Sequence, residues 1–156
     1  MDIREGTIIT PLPEETLLLD RERKWRVKLP IAYKEFIKKY NGSSPIKDSF
    51  LCNKHEYTVD RFLCILQVTG NNENEYYDIG VVKTQLDERI VTDEDLVGTE
   101  LLPIAVLFAG DFVCLDYRDS TEEPTVCVWN HEESGDLDPV TYFLCDSFTT
   151  FLNLLR

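Results

Sequence analysis

With 156 residues, 43% of them hydrophobic and 29% charged, the chain has the make-up of one globular domain able to bury a real core. The longest apolar run, residues 101–109, is too short to span a bilayer and is broken by Pro103. The start of the chain also lacks the basic and apolar stretches of a secretory signal, so a cytoplasmic, membrane-free protein is expected. The net charge of −13 is uneven: residues 1–40 carry a net +2 and residues 41–156 a net −15, a balance that repels nucleic acid and favours basic partners or simply solubility.

A first helix begins at Pro13-Glu14-Glu15, with acidic residues at its start and Arg21, Arg23, Lys24 and Arg26 near its end, as the helix dipole prefers. Leu18 and Trp25 would face the core. A second helix occupies residues 28–42. Pro30 opens it where a missing N–H costs nothing, and Tyr33, Phe36, Ile37 and Tyr40 repeat at i, i+3, i+4 and i+7. Asn41-Gly42 should end it, since both residues accept a left-handed cap.

Two strands are expected next, 49–53 and 57–68, around a turn at Lys54-His55-Glu56. Residues 70–75 read as a loop, and 79–89 as a short helix with Ile79, Val82 and Leu86 inward, weakened by Gly80. Residues 108–117 and 125–129 read as a hairpin. A symmetric loop would set Cys114 opposite Cys127 and Phe112 opposite Trp129. Both faces of that pair are apolar, which places it in the middle of a sheet. A polar loop follows, and Ser147 then caps a last helix with Phe148, Phe151, Leu152 and Leu155 inward. Strands in antiparallel pairs, with helices between the pairs, give an α+β fold in a single domain, residues 1–156.

Three blocks resemble the SUKH superfamily, the Smi/Knr-like domains. The first is Leu29-Pro30, Tyr33-Lys34-Glu35-Phe36 and Asn41-Gly42. The second is Leu102-Pro103-Ile104-Ala105, Gly110-Asp111 and Leu115-Asp116, and the third is Val128-Trp129 with the closing helix. Val106-Leu107-Phe108-Ala109 is apolar where the family often has a Gly-rich turn. The resemblance implies a non-catalytic, protein-binding α+β domain; no cofactor or metal is expected. It also implies the usual bacterial role, an immunity protein that neutralises a cognate protein toxin, often a nuclease. Fungal relatives suggest the alternative, a regulatory scaffold for cell-envelope or signalling proteins.

Other chemistry finds weaker support in the residues. Five cysteines without a CxxC pair, each in an apolar stretch, suggest buried thiols rather than a disulfide framework. Cys114, Asp116 and His131 could form a hydrolytic set only if Cys114 left its core-like strand. Cys52-x2-His55 and Cys127-x3-His131 have zinc-like spacings but lie in separate hairpins. The basic cluster Arg21 to Lys28 alternates with Glu22 and Trp25 and reads as a solvated helix face.

The acidic loops are the sharper candidates: Glu73/Glu75/Asp78, Asp93/Glu94/Asp95, Asp119/Glu122/Glu123 and Glu132/Glu133/Asp136/Asp138. Partner-binding residues expected from them, and from family positions, are Asp111, Asp116, Tyr76, Tyr77, Asp78, Glu122, Glu123, Glu132 and Glu133. Tyr117 is a further anchor. Asp111 could equally be a turn residue beside Gly110. A monomer or weak homodimer is expected.

Overall fold

In the computed structural model, which describes residues 1–70 and 73–156, a six-stranded antiparallel meander carries the fold. Its strands are β1 (Ser49–Cys52), β2 (His55–Phe62), β3 (Leu101–Leu107), β4 (Phe112–Asp116), β5 (Thr125–Trp129) and β6 (Thr141–Cys145), paired in chain order. The helices among the described residues are α1 (Glu15–Trp25), α2 (Ile31–Tyr40), α3 (Ile79–Leu86) and α4 (Phe148–Leu154). The α+β expectation holds.

The register of the central hairpin is the one that alternation dictates. Cys114 faces Cys127, Phe112 faces Trp129, and Val113 and Leu115 meet Val128 and Val126. Both faces of this pair are buried, but against different layers. On one side Val113, Leu115, Val126 and Val128 join a large core with Leu18, Tyr33, Phe36, Ile37, Phe148 and Phe151. Phe36 packs against Phe62 and Phe148 at ring separations of 4.6 and 5.2 Å, so α2 and α4 meet over the sheet through aromatic edges. On the other side Cys114, Cys127, Trp129 and Leu101 are covered by Ile90, in a 3-10 turn (Asp87–Ile90) that directly follows α3. The Trp129 indole donates to the Arg89 carbonyl at 2.9 Å, which satisfies its one polar atom.

The sheet curls until its ends approach. The Cys52 thiol of β1 lies 3.5 Å from the Phe143 carbonyl of β6, and the last residue, Arg156, exchanges two backbone hydrogen bonds with Ser49. The outer edge of β1 is thereby partly covered.

Four sequence expectations are corrected. Six strands form instead of four. β3 is a strand despite Pro103, because the pairing with β4 shifts between Pro103 and Ala105, a bulge that tolerates the missing N–H. β6 lies inside the expected polar loop. β2 stops at Phe62 rather than residue 68, and it starts at His55, so the turn is the two-residue Asn53-Lys54, both at positive φ (50° and 63°).

The segment after Phe62 is buried but irregular, and its backbone donors go to four separate acceptors. Leu63 N–H reaches Ile104 O, Cys64 N–H reaches Tyr77 O, Ile65 N–H reaches the Asn41 side chain, and Leu66 N–H reaches the Asp78 carboxylate.

The fourth correction concerns Asn41-Gly42. Only Gly42 is left-handed (φ 69°), while Asn41 has φ −44° and ψ 117°. Asn41 is fully buried and works as a clasp. Its amide donates to Ile9 O at 3.0 Å, and its side-chain oxygen accepts from Ile65 N–H at 2.9 Å. Gly42 is needed for space as well as conformation, since a Cβ there would sit 2.5 Å from the Ile9 Cδ1. The family-motif residues Leu29, Tyr33, Phe36 and Trp129 are all buried core.

Candidate partner-binding surface

A meander places alternate connections at opposite ends of the sheet. The Asn53-Lys54 turn, the β3–β4 turn and the β5–β6 loop share one end. The β4–β5 loop lies at the other, with the long β2–β3 connection. This sorting decides which of the expected residues can act together.

At the first end, the β3–β4 turn is closed by Leu107 N–H to Asp111 O at 2.8 Å and Gly110 N–H to Leu107 O at 3.2 Å. Ala109 (φ 76°) and Gly110 (φ 99°) are both left-handed. The turn therefore forms without a Gly-rich stretch, because one alanine accepts the strained conformation. The Asp111 carboxylate crosses to the β5–β6 loop, accepting from His131 N–H at 2.9 Å and meeting its Nδ1 at 2.6 Å. The other ring nitrogen lies 3.9 Å from Glu132. Glu133 accepts from the Tyr142 hydroxyl at 2.6 Å, and that bond raises the Tyr142 phenol above its ordinary value. Asp111, Glu132 and Glu133 thus belong to one surface. Asp111 organises it, and the two glutamates stand exposed.

At the other end, Asp116 is held by Arg118 through two side-chain bonds of 3.0 and 2.7 Å, and Arg118 continues to the Thr141 hydroxyl at 2.7 Å. The bonded Asp116 carboxylate in turn keeps the guanidinium charged more firmly than usual. Glu122 and Glu123 are exposed there, their N–H groups bonded to the Ser120 hydroxyl.

Two expected anchors are buried and a third is half-buried. Asp78 is buried and caps α3, accepting from Val81 N–H at 3.1 Å and Leu66 N–H at 2.9 Å, with Gly80 leaving room for its carboxylate. Tyr117 is buried and donates to Lys28 O at 2.9 Å. Tyr77 is partly buried, with the Arg61 guanidinium 4.3 Å above its ring. Tyr76, beside it, is exposed. Residues 76–78, expected to offer anchors to a partner, lie in a 3-10 turn (Glu75–Tyr77) and the cap that opens α3. Asn71 and Asn72 of the expected loop lie outside the described residues.

The alternative chemistries meet the same geometry. Burial pushes the Cys114 thiol well up, Asp116 is engaged by Arg118, and His131 is engaged by Asp111, so these three do not form a set. Cys52 turns its thiol toward β6 carbonyls, and His55 packs on the Tyr57 ring at 4.5 Å. Among the described residues no three His, Cys, Asp or Glu groups are placed to hold a metal ion. No described helix is long and apolar enough to cross a membrane.

One surface residue escaped the sequence reading. Phe108, taken as the first residue of a buried strand, stands 79% exposed at the tip of the β3–β4 turn. The signal was present in the Ala109-Gly110-Asp111 that follows it, a turn sequence that leaves its predecessor outside the ladder.

No curated protein and no solved structure matches the chain. Comparison with protein families matches residues 15–152 to SUKH_6, described as SMI1-KNR4 cell-wall. That span runs from the first residue of α1 into α4 and takes in every strand, so the chain belongs to the SMI1-KNR4 (SUKH) family.

Proposed function

We propose that this chain is an immunity protein that binds a cognate protein toxin and neutralises it by masking its active or substrate-binding surface. The observation that carries the reading is the placement of the acidity. In a chain belonging to a family rich in such proteins, the net −15 of residues 41–156 stands largely on exposed loops at the ends of a rigid sheet. An enzyme that handles a polyanion such as nucleic acid needs a positive cleft, and exposed carboxylates are complementary to it. No catalytic role is assigned to the chain. Co-expression with the protein encoded beside it tests the reading. Rescue of growth and a stable complex support it, while neither rescue nor binding refutes it.

A regulatory scaffold for endogenous envelope proteins is the second reading, favoured by the cell-wall description of the family. It predicts binding to a chromosomal envelope or signalling protein where no toxin gene is adjacent.

A further inference from the structure

The geometry points to one end of the sheet, the Phe108 tip with the Glu132–Glu133 edge, as the docking surface for a basic protein, with Phe108 as its apolar anchor. This inference rests on the toxin-binding reading above and gives it a location.

The argument starts with Phe108 itself. Large aromatic side chains are rarely left in water without use, and this one is 79% exposed, more than Phe143 on β6 at 64%, while Phe50, Phe62, Phe148 and Phe151 are all buried. It is also held firmly. Its N–H donates to Thr58 O at 2.9 Å, and the turn behind it is closed by the Leu107, Gly110 and Asp111 bonds. The Asp111 carboxylate then ties the turn to His131. A backbone held this way leaves only the two side-chain torsions to be ordered on binding, which is what distinguishes an anchor from an exposed side chain on a loose loop. Ala109 at φ 76° holds a conformation that costs an alanine free energy, and the neighbouring Phe108 is left mostly in solvent.

Charge selects the occupant. Exposed carboxylates at this end come from Glu132, Glu133, Asp136 and Asp138 of the β5–β6 loop and from Glu56 and Asp60 of β2. Against them stand Lys54, the imidazoles of His55 and His131, the Arg89 guanidinium bonded to the His131 and Ser134 carbonyls, and Arg156, which lies 3.9 Å from Glu56. The surplus is negative, so nucleic acid and anionic lipid are repelled. A second copy would bring the same carboxylates face to face. A basic protein surface with an apolar slot is the complementary partner.

The test uses the purified protein encoded by the neighbouring gene and the full chain. Phe108→Ala should weaken binding about thirtyfold, the size of a hot-spot loss, with an unchanged Tm. Glu132→Lys should slow association several-fold at low salt and much less at high salt. The double variant Glu122→Gln/Glu123→Gln, at the far end of the sheet, should bind like wild type. Affinity within threefold of wild type for Phe108→Ala overturns the inference while leaving the toxin-binding reading intact. A wild-type chain that does not bind at all overturns both.

Discussion

Replacing Asn41 by alanine isolates the clasp between the N-terminal segment and the irregular stretch after β2. The side chain is fully buried and satisfies two backbone groups, Ile65 N–H at 2.9 Å and Ile9 C=O at 3.0 Å. Alanine strands both in a dry site and leaves a cavity the size of a carboxamide. Each stranded group costs about 1–3 kcal/mol, so the expected loss is roughly 3–5 kcal/mol, a large part of the stability of a domain this size. In a two-state domain of this length that lowers Tm by about 10 °C or more. Urea titration followed by tryptophan fluorescence suits the measurement, because Trp25 and Trp129 are both buried. Asn41→Asp keeps the acceptor for Ile65 but removes the donor to Ile9 and buries a charge, so it should be at least as damaging at neutral pH. A loss below about 1 kcal/mol for the alanine variant would refute the reasoning, since the stranded groups would then have found other partners.

Further outcomes follow from neighbouring features. Gly42→Ala forces a Cβ to 2.5 Å from Ile9 Cδ1 at a left-handed backbone, and should cost about 2–4 kcal/mol; adding Ile9→Ala should recover part of that, measured as non-additivity in a double-mutant cycle. Lys83 donates to the Thr99 hydroxyl at 2.6 Å, and burial lowers its amine to about 8, below the unfolded value. The unfolded chain therefore holds the proton longer, and folding is penalised most below pH 8. Lys83→Met should be more stable at pH 7, on the order of 1–3 kcal/mol, with the advantage shrinking between pH 8 and 10 in paired urea titrations. All five thiols are buried, and burial pushes Cys64 up to about 12 and Cys145 up to about 11. The native protein should resist a thiol reagent at pH 8 and react at five sites in denaturant; fast labelling of the native form would contradict that burial. Because the unfolded thiols ionise first, stability should also fall as pH rises above about 9.

The central hairpin was legible because its alternation and loop symmetry leave one register. The aromatic faces of α2 and α4 were legible because their period is helical. Elements defined by distant partners were not. β3 is apolar at every position and carries Pro103, so neither alternation nor composition marks it as a strand; the bulge against β4 does. β6 is half exposed and exists because β5 offers it a ladder. Residues 63–66 have the composition of a strand, yet their donors are drawn to four separate acceptors from Asn41 to Ile104. At the candidate surface, the glutamates of residues 132 and 133 were readable as exposed loop charge. Asp78 was not readable as a cap, since an acidic residue after two tyrosines looks the same whether it faces water or a helix start. Phe108 needed the turn geometry before its exposure could be seen.

The strict chain-order pairing of the strands has a bearing on how such a domain can diversify. Each connection leaves and re-enters the sheet through adjacent strands, so a loop can lengthen, shorten or change composition while the ladders on either side keep their register. The Asn53-Lys54 turn, the Phe108 tip and residues 130–140 all project from the same rim, where the 3-10 turn after α3 meets the last of them through Leu137 N–H to Glu88 O and Arg89 to the His131 and Ser134 carbonyls. A lineage could therefore exchange one partner for another by rewriting three short stretches, and the Asn41 clasp and aromatic core would not register the change. Grafting those three stretches from one relative to another should transfer partner choice at little cost in folding where the backbone bond from residue 137 to Glu88 is kept.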